Sequence, residues 1–254
     1  MRLPKAFNVF AAGLALALLL AGRPAAADQT HVAVAANFTG AAKEIAAAFA
    51  QKTGHEAVLS FGASGQFYAQ ITQGAPFQVF LSADEERPRK LVADGLAPAE
   101  SRFTYAIGKL VLWSRTAGLV TGEATLRSGS FAKIAIANPA AAPYGAAAIE
   151  TMKAVKLYEM LQPKIVQGNS IAQTFQFADT GNAELGFVAL SQVIDAAGSR
   201  WVVPQDLYTP IRQDAVLLAK GVDSAAAEAF LVFLRSPEAR AIIERYGYAF
   251  GASS

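Results

Sequence analysis

The chain contains no cysteine and only two histidines, His31 and His55, in 254 residues. Disulfide staples and thiolate metal centres are excluded outright, and a multi-histidine site is excluded with them. The absence of cysteine also leaves no thiol to carry a lipid anchor. Charge is sparse at 17% of residues, and no apolar run long enough to span a bilayer occurs beyond the first two dozen positions. No basic stripe marks a nucleic-acid footprint, so no nucleic-acid partner is expected. Strict internal repeats and low-complexity segments are lacking too.

What is present begins with an export signal. Arg2 and Lys5 form a short positive region, Phe10 to Ala21 is almost unbroken apolar sequence, and Ala25-Ala26-Ala27 supplies a small-residue cleavage site before Asp28. Residues 1–27 therefore read as a signal peptide cleaved after Ala27. Its removal takes three of the 22 basic residues, leaving 19 against 20 acidic ones, so the formal charge moves from +2 to −1. A soluble, unanchored export product is retained only behind a second barrier, which predicts a periplasmic location in a diderm bacterium. The remaining chain is long enough to bury a core without disulfides.

Strand and helix patterns alternate from there. Strands are expected at His31–Ala35, Ala57–Phe61, Val79–Ser82, Leu110–Trp113, Ile134–Ala137, Leu185–Val188, Trp201–Val203 and Ala215–Leu218. Helices are expected at Gly40–Lys52, Gln66–Thr72, Glu85–Ala93, Gly145–Val155 and Ile171–Thr180, and after Ser224 and Ser236-Pro237. Such alternation implies α/β architecture with parallel sheets covered on both faces. The length suits two lobes, each a central sheet flanked by helices. Residues 28–107 with 212–254 are assigned to lobe 1 and 108–211 to lobe 2, with crossings near Gly108 and Arg212.

Catalytic motifs fail on inspection. His55-Glu56 lacks the second histidine of a zinc-protease helix, and Gly62-Ala63-Ser64-Gly65 lacks the spacing of a nucleophile elbow. Gly108-Lys109-Leu110 lacks the features of a phosphate loop. No enzyme is expected.

Four strand-to-helix corners remain: Ala35-Ala36-Asn37-Phe38-Thr39, Phe61-Gly62-Ala63-Ser64-Gly65, Ala142-Pro143-Tyr144-Gly145 and Gly168-Asn169-Ser170-Ile171. In open α/β sheets ligands bind at such corners. Each offers free N–H groups and about half a positive charge of helix dipole. Four corners facing one point suit a small inorganic dianion without any lysine or arginine. Asn37, Ser64 and Tyr144 add side-chain donors. Any one corner alone is ordinarily a mere helix cap; the combination carries the argument. Asp84 is expected to cap a helix, because a carboxylate would repel an anion.

At these corners the sequence resembles the periplasmic molybdate-binding components of bacterial ABC transporters. The resemblance rests on Val34-Ala35-Ala36-Asn37-Phe38-Thr39, Ser60-Phe61-Gly62-Ala63-Ser64-Gly65 and Gln73-Gly74-Ala75-Pro76 running to Ser82-Ala83-Asp84. Ala137-Asn138-Pro139, Leu185-Gly186-Phe187-Val188 and Tyr246-Gly247-Tyr248 add to it. It implies a two-lobed periplasmic binding protein fold that holds a tetrahedral oxyanion, molybdate or tungstate, by neutral hydrogen bonds alone. No cofactor is implied, and molybdenum enters only within the oxyanion, with no residue bonded to the metal. An inner-membrane permease is the implied partner, and the protein itself is expected to be a monomer. Carried over by position, Asn37 and Ser64 bind from lobe 1, Ile171 gives its backbone N–H from lobe 2, and Ala36 contributes backbone only. Many members carry a tyrosine where this chain has Ala189, and a small residue where it has Tyr144. The hydroxyl is thus expected from the Tyr144 corner. Sulfate binding, and a serine hydrolase built on Ser64, are the alternative readings.

Overall fold

The computed structural model describes residues 28–251; the expected signal peptide, 1–27, lies outside them. The chain runs β1 (Gln29–Ala35), α1 (Thr39–Thr53), β2 (Glu56–Gly62), α2 (Ser64–Thr72), β3 (Val79–Leu81), α3 (Glu86–Ala93) and β4 (Phe103–Gly108). It continues with β5 (Leu110–Ser114), α4 (Glu123–Ser128), β6 (Ile134–Ala137), α5 (Pro143–Ala154), α6 (Tyr158–Leu161) and β7 (Ile165–Gly168). Then follow α7 (Ile171–Asp179), β8 (Leu185–Ala189), α8 (Leu190–Val193), β9 (Ser199–Val202), β10 (Ile211–Leu217), α9 (Ala225–Leu234) and α10 (Pro237–Arg245).

Two five-stranded sheets result, ordered β2-β1-β3-β10-β4 and β7-β6-β8-β5-β9. Each is covered on both faces, and the strand sequences show why. In β1, Val32 and Val34 enter one apolar cluster while Ala33 enters another. In β5, Leu110 and Leu112 face one cluster and Val111 and Trp113 the other. The period of two thus divides near-continuous apolar runs between two helix layers. Local punctuation matches. Gly54 ends α1 in the left-handed region at φ 77°, with its N–H on the Ala50 carbonyl. The Ser224 and Ser236 hydroxyls cap α9 and α10 by accepting from Ala227 N and Ala239 N.

The expectation of parallel sheets needs correction. β1 pairs in parallel with β2 and β3, and β6 with β7 and β8, but β10 is antiparallel to β3 and β4, and β5 to β8 and β9. The cause is the route of the chain. β4 carries it out of the first sheet and β10 brings it back, so these neighbours run in opposite directions. Neither crossing contains the helix a parallel connection needs. Lys109 alone separates β4 from β5, and residues 203–210 separate β9 from β10. Two strands, β4 and β7, were not anticipated; both follow segments whose polar residues mask the short apolar pattern.

Candidate functional site

The four corners meet in one cavity between the sheets. Ala36 and Asn37 line it after β1, Ser64 at the start of α2, Tyr144 at the start of α5, and Ile171 at the start of α7. Neither lysine nor arginine lines it. All five side chains are buried. The structure thus brings together every residue that the sequence singled out.

Each corner presents donors for a definite reason. Ser64 and Ile171 are first residues of α2 and α7, and Tyr144 is the second residue of α5 behind Pro143. N–H groups at these positions have no carbonyl one turn back to bond, and none meets an acceptor among the described residues. The first corner differs slightly, since a 3-10 turn over Ala36–Phe38 precedes α1. Asn37 sits in that turn with its N–H likewise free. The Ser64 hydroxyl accepts from Ala83 N at 2.9 Å, which fills a lone pair and leaves its proton to donate.

The side-chain amide of Asn37 is engaged differently from the sequence expectation. Its Nδ2 donates to Gln213 Oε1 at 2.9 Å and to the Tyr248 hydroxyl at 3.0 Å. Both amide protons are therefore committed to lobe 1, and Asn37 offers the cavity its backbone N–H. Tyr248 also lies 2.8 Å from Asn37 O and 3.0 Å from Ser191 Oγ, while Ser191 donates to Asn37 O at 2.8 Å. Ser191 belongs to α8 of the second lobe, so this bond spans the lobes.

Three further bonds join the lobes. Gly65 N donates to Ala141 O at 2.9 Å, and Arg87 Nη2 to Ala140 O at 2.9 Å. Gln213 Nε2 donates to the Tyr144 hydroxyl at 3.3 Å. Asp84 caps α3 by accepting Arg87 N at 2.8 Å and pairs with the Arg87 guanidinium, as expected for a residue kept away from an anion. Burial pushes the phenols of Tyr105, Tyr144 and Tyr248 well above the ordinary tyrosine range, so all three stay protonated donors.

Sequence reasoning missed the Gln213–Tyr105–Tyr248–Ser191 support behind the corners. One signal was available: Gln213 and Asp214 are adjacent polar residues that follow Arg212 in a strand whose other members are apolar. Both are fully buried, and a bulge lies between them. Asp214 pairs with Arg102 and accepts from Thr104 at 2.7 Å, and Gln213 turns to the interlobe side.

Hydrolysis at Ser64 finds no base. His55 precedes the start of β2 and Ser64 follows its end, roughly 20 Å away along a seven-residue strand. Among the described residues no cluster of three potential metal ligands occurs. Two α/β lobes closing on a cavity of neutral donors define a solute-binding protein.

Comparison with known proteins agrees. The sequence profile of the bacterial extracellular solute-binding proteins matches residues 30–249, and the chain belongs to that family. It is 56% identical over 246 residues to the molybdate-binding protein ModA of Rhodobacter capsulatus, covering 96% of this chain and 97% of that one. It is 53% identical over 229 residues to the molybdate-binding protein ModA of Azotobacter vinelandii, covering 88% and 91%. The solved structure of the Azotobacter vinelandii periplasmic molybdate-binding protein superposes with a TM-score of 0.86 at 44% identity. That match covers 88% of this chain and all of that one.

Proposed function

We propose that this chain captures molybdate, and tungstate with it, in the periplasm and presents it to an inner-membrane ABC transporter. It is a binding protein and not an enzyme. The observation that carries the reading is the convergence of unpaired helix-start N–H groups on one cavity that no cation lines. A fully ionised tetrahedral oxyanion carries acceptors only, and the four corners offer it N–H and O–H donors.

Asn37, Ser64, Tyr144 and Ile171 supply four N–H groups, and Ser64 and Tyr144 add two hydroxyls; Ala36 shapes the wall through its backbone. Burying a dianion is costly, so these bonds must be numerous and aimed. At about 1.5–3 kcal/mol per charge-assisted bond, less the work of closure, micromolar to nanomolar affinity follows. The lobes, residues 28–107 with 212–254 and residues 108–211, close about the two crossings and bring Asn37 and Ser64 against Tyr144 and Ile171. The mature protein begins at Asp28 and acts as a monomer.

Titration calorimetry with molybdate, tungstate, sulfate and phosphate tests the assignment. Tight binding of the first two, with weak sulfate and no phosphate, is expected. Sulfate binding as tight as molybdate binding would move the protein to another oxyanion.

A further inference from the structure

The cavity donors account for Tyr144 but not for the residue behind it. Gln213 is fully buried on β10 of lobe 1, and its side chain reaches across to lobe 2. Its two ends do different things. Oε1 accepts from Asn37 Nδ2 at 2.9 Å and faces the Tyr105 hydroxyl at 3.1 Å. Nε2 is thereby turned to the Tyr144 hydroxyl, and donates to it. The backbone makes room for this contact. A Cβ on Gly108, beside the crossing, would lie 2.1 Å from the Tyr144 hydroxyl oxygen and 2.7 Å from Gln213 Nε2. Any side chain there would push the two groups apart.

A phenol has one proton and can also accept. With a Gln213 N–H on the accepting side, the Tyr144 proton has no acceptor among the described residues and is available to the cavity. We propose that Gln213 is a positioning residue that fixes the Tyr144 hydroxyl as a donor to the bound anion and so helps select oxyanions without a proton. The inference rests on the anion-binding reading above, and it assigns the polarity of one corner of that site. An anion oxygen bearing a proton would meet a second donor there, with no carboxylate to take the proton. The amide is suited to the task because its acceptor end is already held by Asn37, which fixes the direction of the donor end. Tyr144 stays un-ionised because desolvation disfavours the phenolate, so the proton remains available at neutral pH.

A double-mutant cycle on the full mature chain separates this role from packing. Gln213→Glu keeps an acceptor toward Asn37 and Tyr105 but offers Tyr144 an acceptor instead of a donor, which turns the phenol's proton away from the anion. Its added charge also repels the ligand, and the Tyr144→Phe background retains that repulsion while removing the hydroxyl. Tyr144→Phe alone should weaken molybdate about ten- to a hundredfold, the loss of one charge-assisted bond. Gln213→Glu should weaken it further in the wild-type background than in the Tyr144→Phe background, by at least about tenfold. Gln213→Met repeats the cycle without added charge, should Gln213→Glu fail to fold, and the same sign of coupling is expected. Equal losses in both backgrounds would overturn the proposal, as would a Tyr144→Phe protein with wild-type affinity. Wild-type protein that does not bind molybdate at all would instead overturn the functional reading, and the first titration reports that separately.

Discussion

Replacing Gly65 with alanine should separate lobe closure from folding. Gly65 is the second residue of α2, and its N–H donates across the cleft to Ala141 O at 2.9 Å. A Cβ at this position would lie 2.9 Å from Ala141 Cα, 3.2 Å from Ala141 O and 3.1 Å from Arg87 Nη2. The first two contacts are to backbone of the opposite lobe, which cannot rotate away as a side chain would. Within lobe 1 the change is benign, since alanine favours a helix over glycine by about 1 kcal/mol. Overpacking at the contact costs about 1–3 kcal/mol and the strained interlobe bond about 0.5–1.5 kcal/mol. Both fall on the closed state alone, so affinity should drop by roughly ten- to a thousandfold. Stopped-flow and calorimetric titration should show the loss mainly in the dissociation rate, because capture by the open form needs no contact at Gly65. The ligand-free protein should melt at or slightly above the wild-type temperature. Wild-type affinity, or a clear loss of ligand-free stability, would refute the placement of this contact at the closing edge.

Molybdate affinity should fall only weakly from low to physiological salt, because buried neutral donors are little screened, and a steep decline in titrations would point to exposed cations as the binding groups. Stability should be lost at alkaline pH. The folded-state pKa values of Tyr105, Tyr144 and Tyr248 are raised by burial, so the unfolded chain releases these protons first, near the ordinary tyrosine pKa of about 10. Their contribution is fully present below that pH and declines as pH rises through the folded values; chemical denaturation at a series of pH values should show a flat neutral range and a fall above about 10. Intact mass of the exported protein should place its first residue at Asp28, and retention of Arg2 and Lys5 in a membrane fraction would contradict the cleavage.

How much of this was legible in the sequence follows from which interactions are local. The corners at Asn37, Ser64, Tyr144 and Ile171 could be read because glycine, proline and small polar residues mark a strand-to-helix turn over a few positions. Their convergence on one cavity was expected from the general placement of ligands at the carboxyl ends of strands in α/β sheets. The antiparallel returns of β5 and β10 could not be read, because strand direction depends on where the chain crosses and not on local pattern. The direction of the Asn37 amide was hidden for a related reason. Its partners Gln213 and Tyr248 lie 176 and 211 residues away, and only tertiary proximity reveals that they take both of its protons. Gln213 itself was concealed for the same reason, since its partners Asn37, Tyr105 and Tyr144 are all distant in sequence.

The placement of β10 between β3 and β4 has a consequence for the order in which the molecule can be assembled. The second lobe is one uninterrupted stretch, and its first and last strands, β5 and β9, are neighbours that pair from Val111 with Val202 to Ser114 with Ser199. A chain emerging from its N-terminus has all five of these strands before β10 appears, so that lobe can fold early. The first lobe cannot: until Ile211–Leu217 arrives, β4 has no partner in its sheet and β3 lacks one of its two. Gln213 and Tyr248, which hold Asn37, arrive with or after that strand, and Gln213 is also the one that reaches Tyr144. A nascent or truncated chain therefore carries one finished lobe and half a cage, and the capacity to hold an anion appears only when the last sixth of the polypeptide has been delivered.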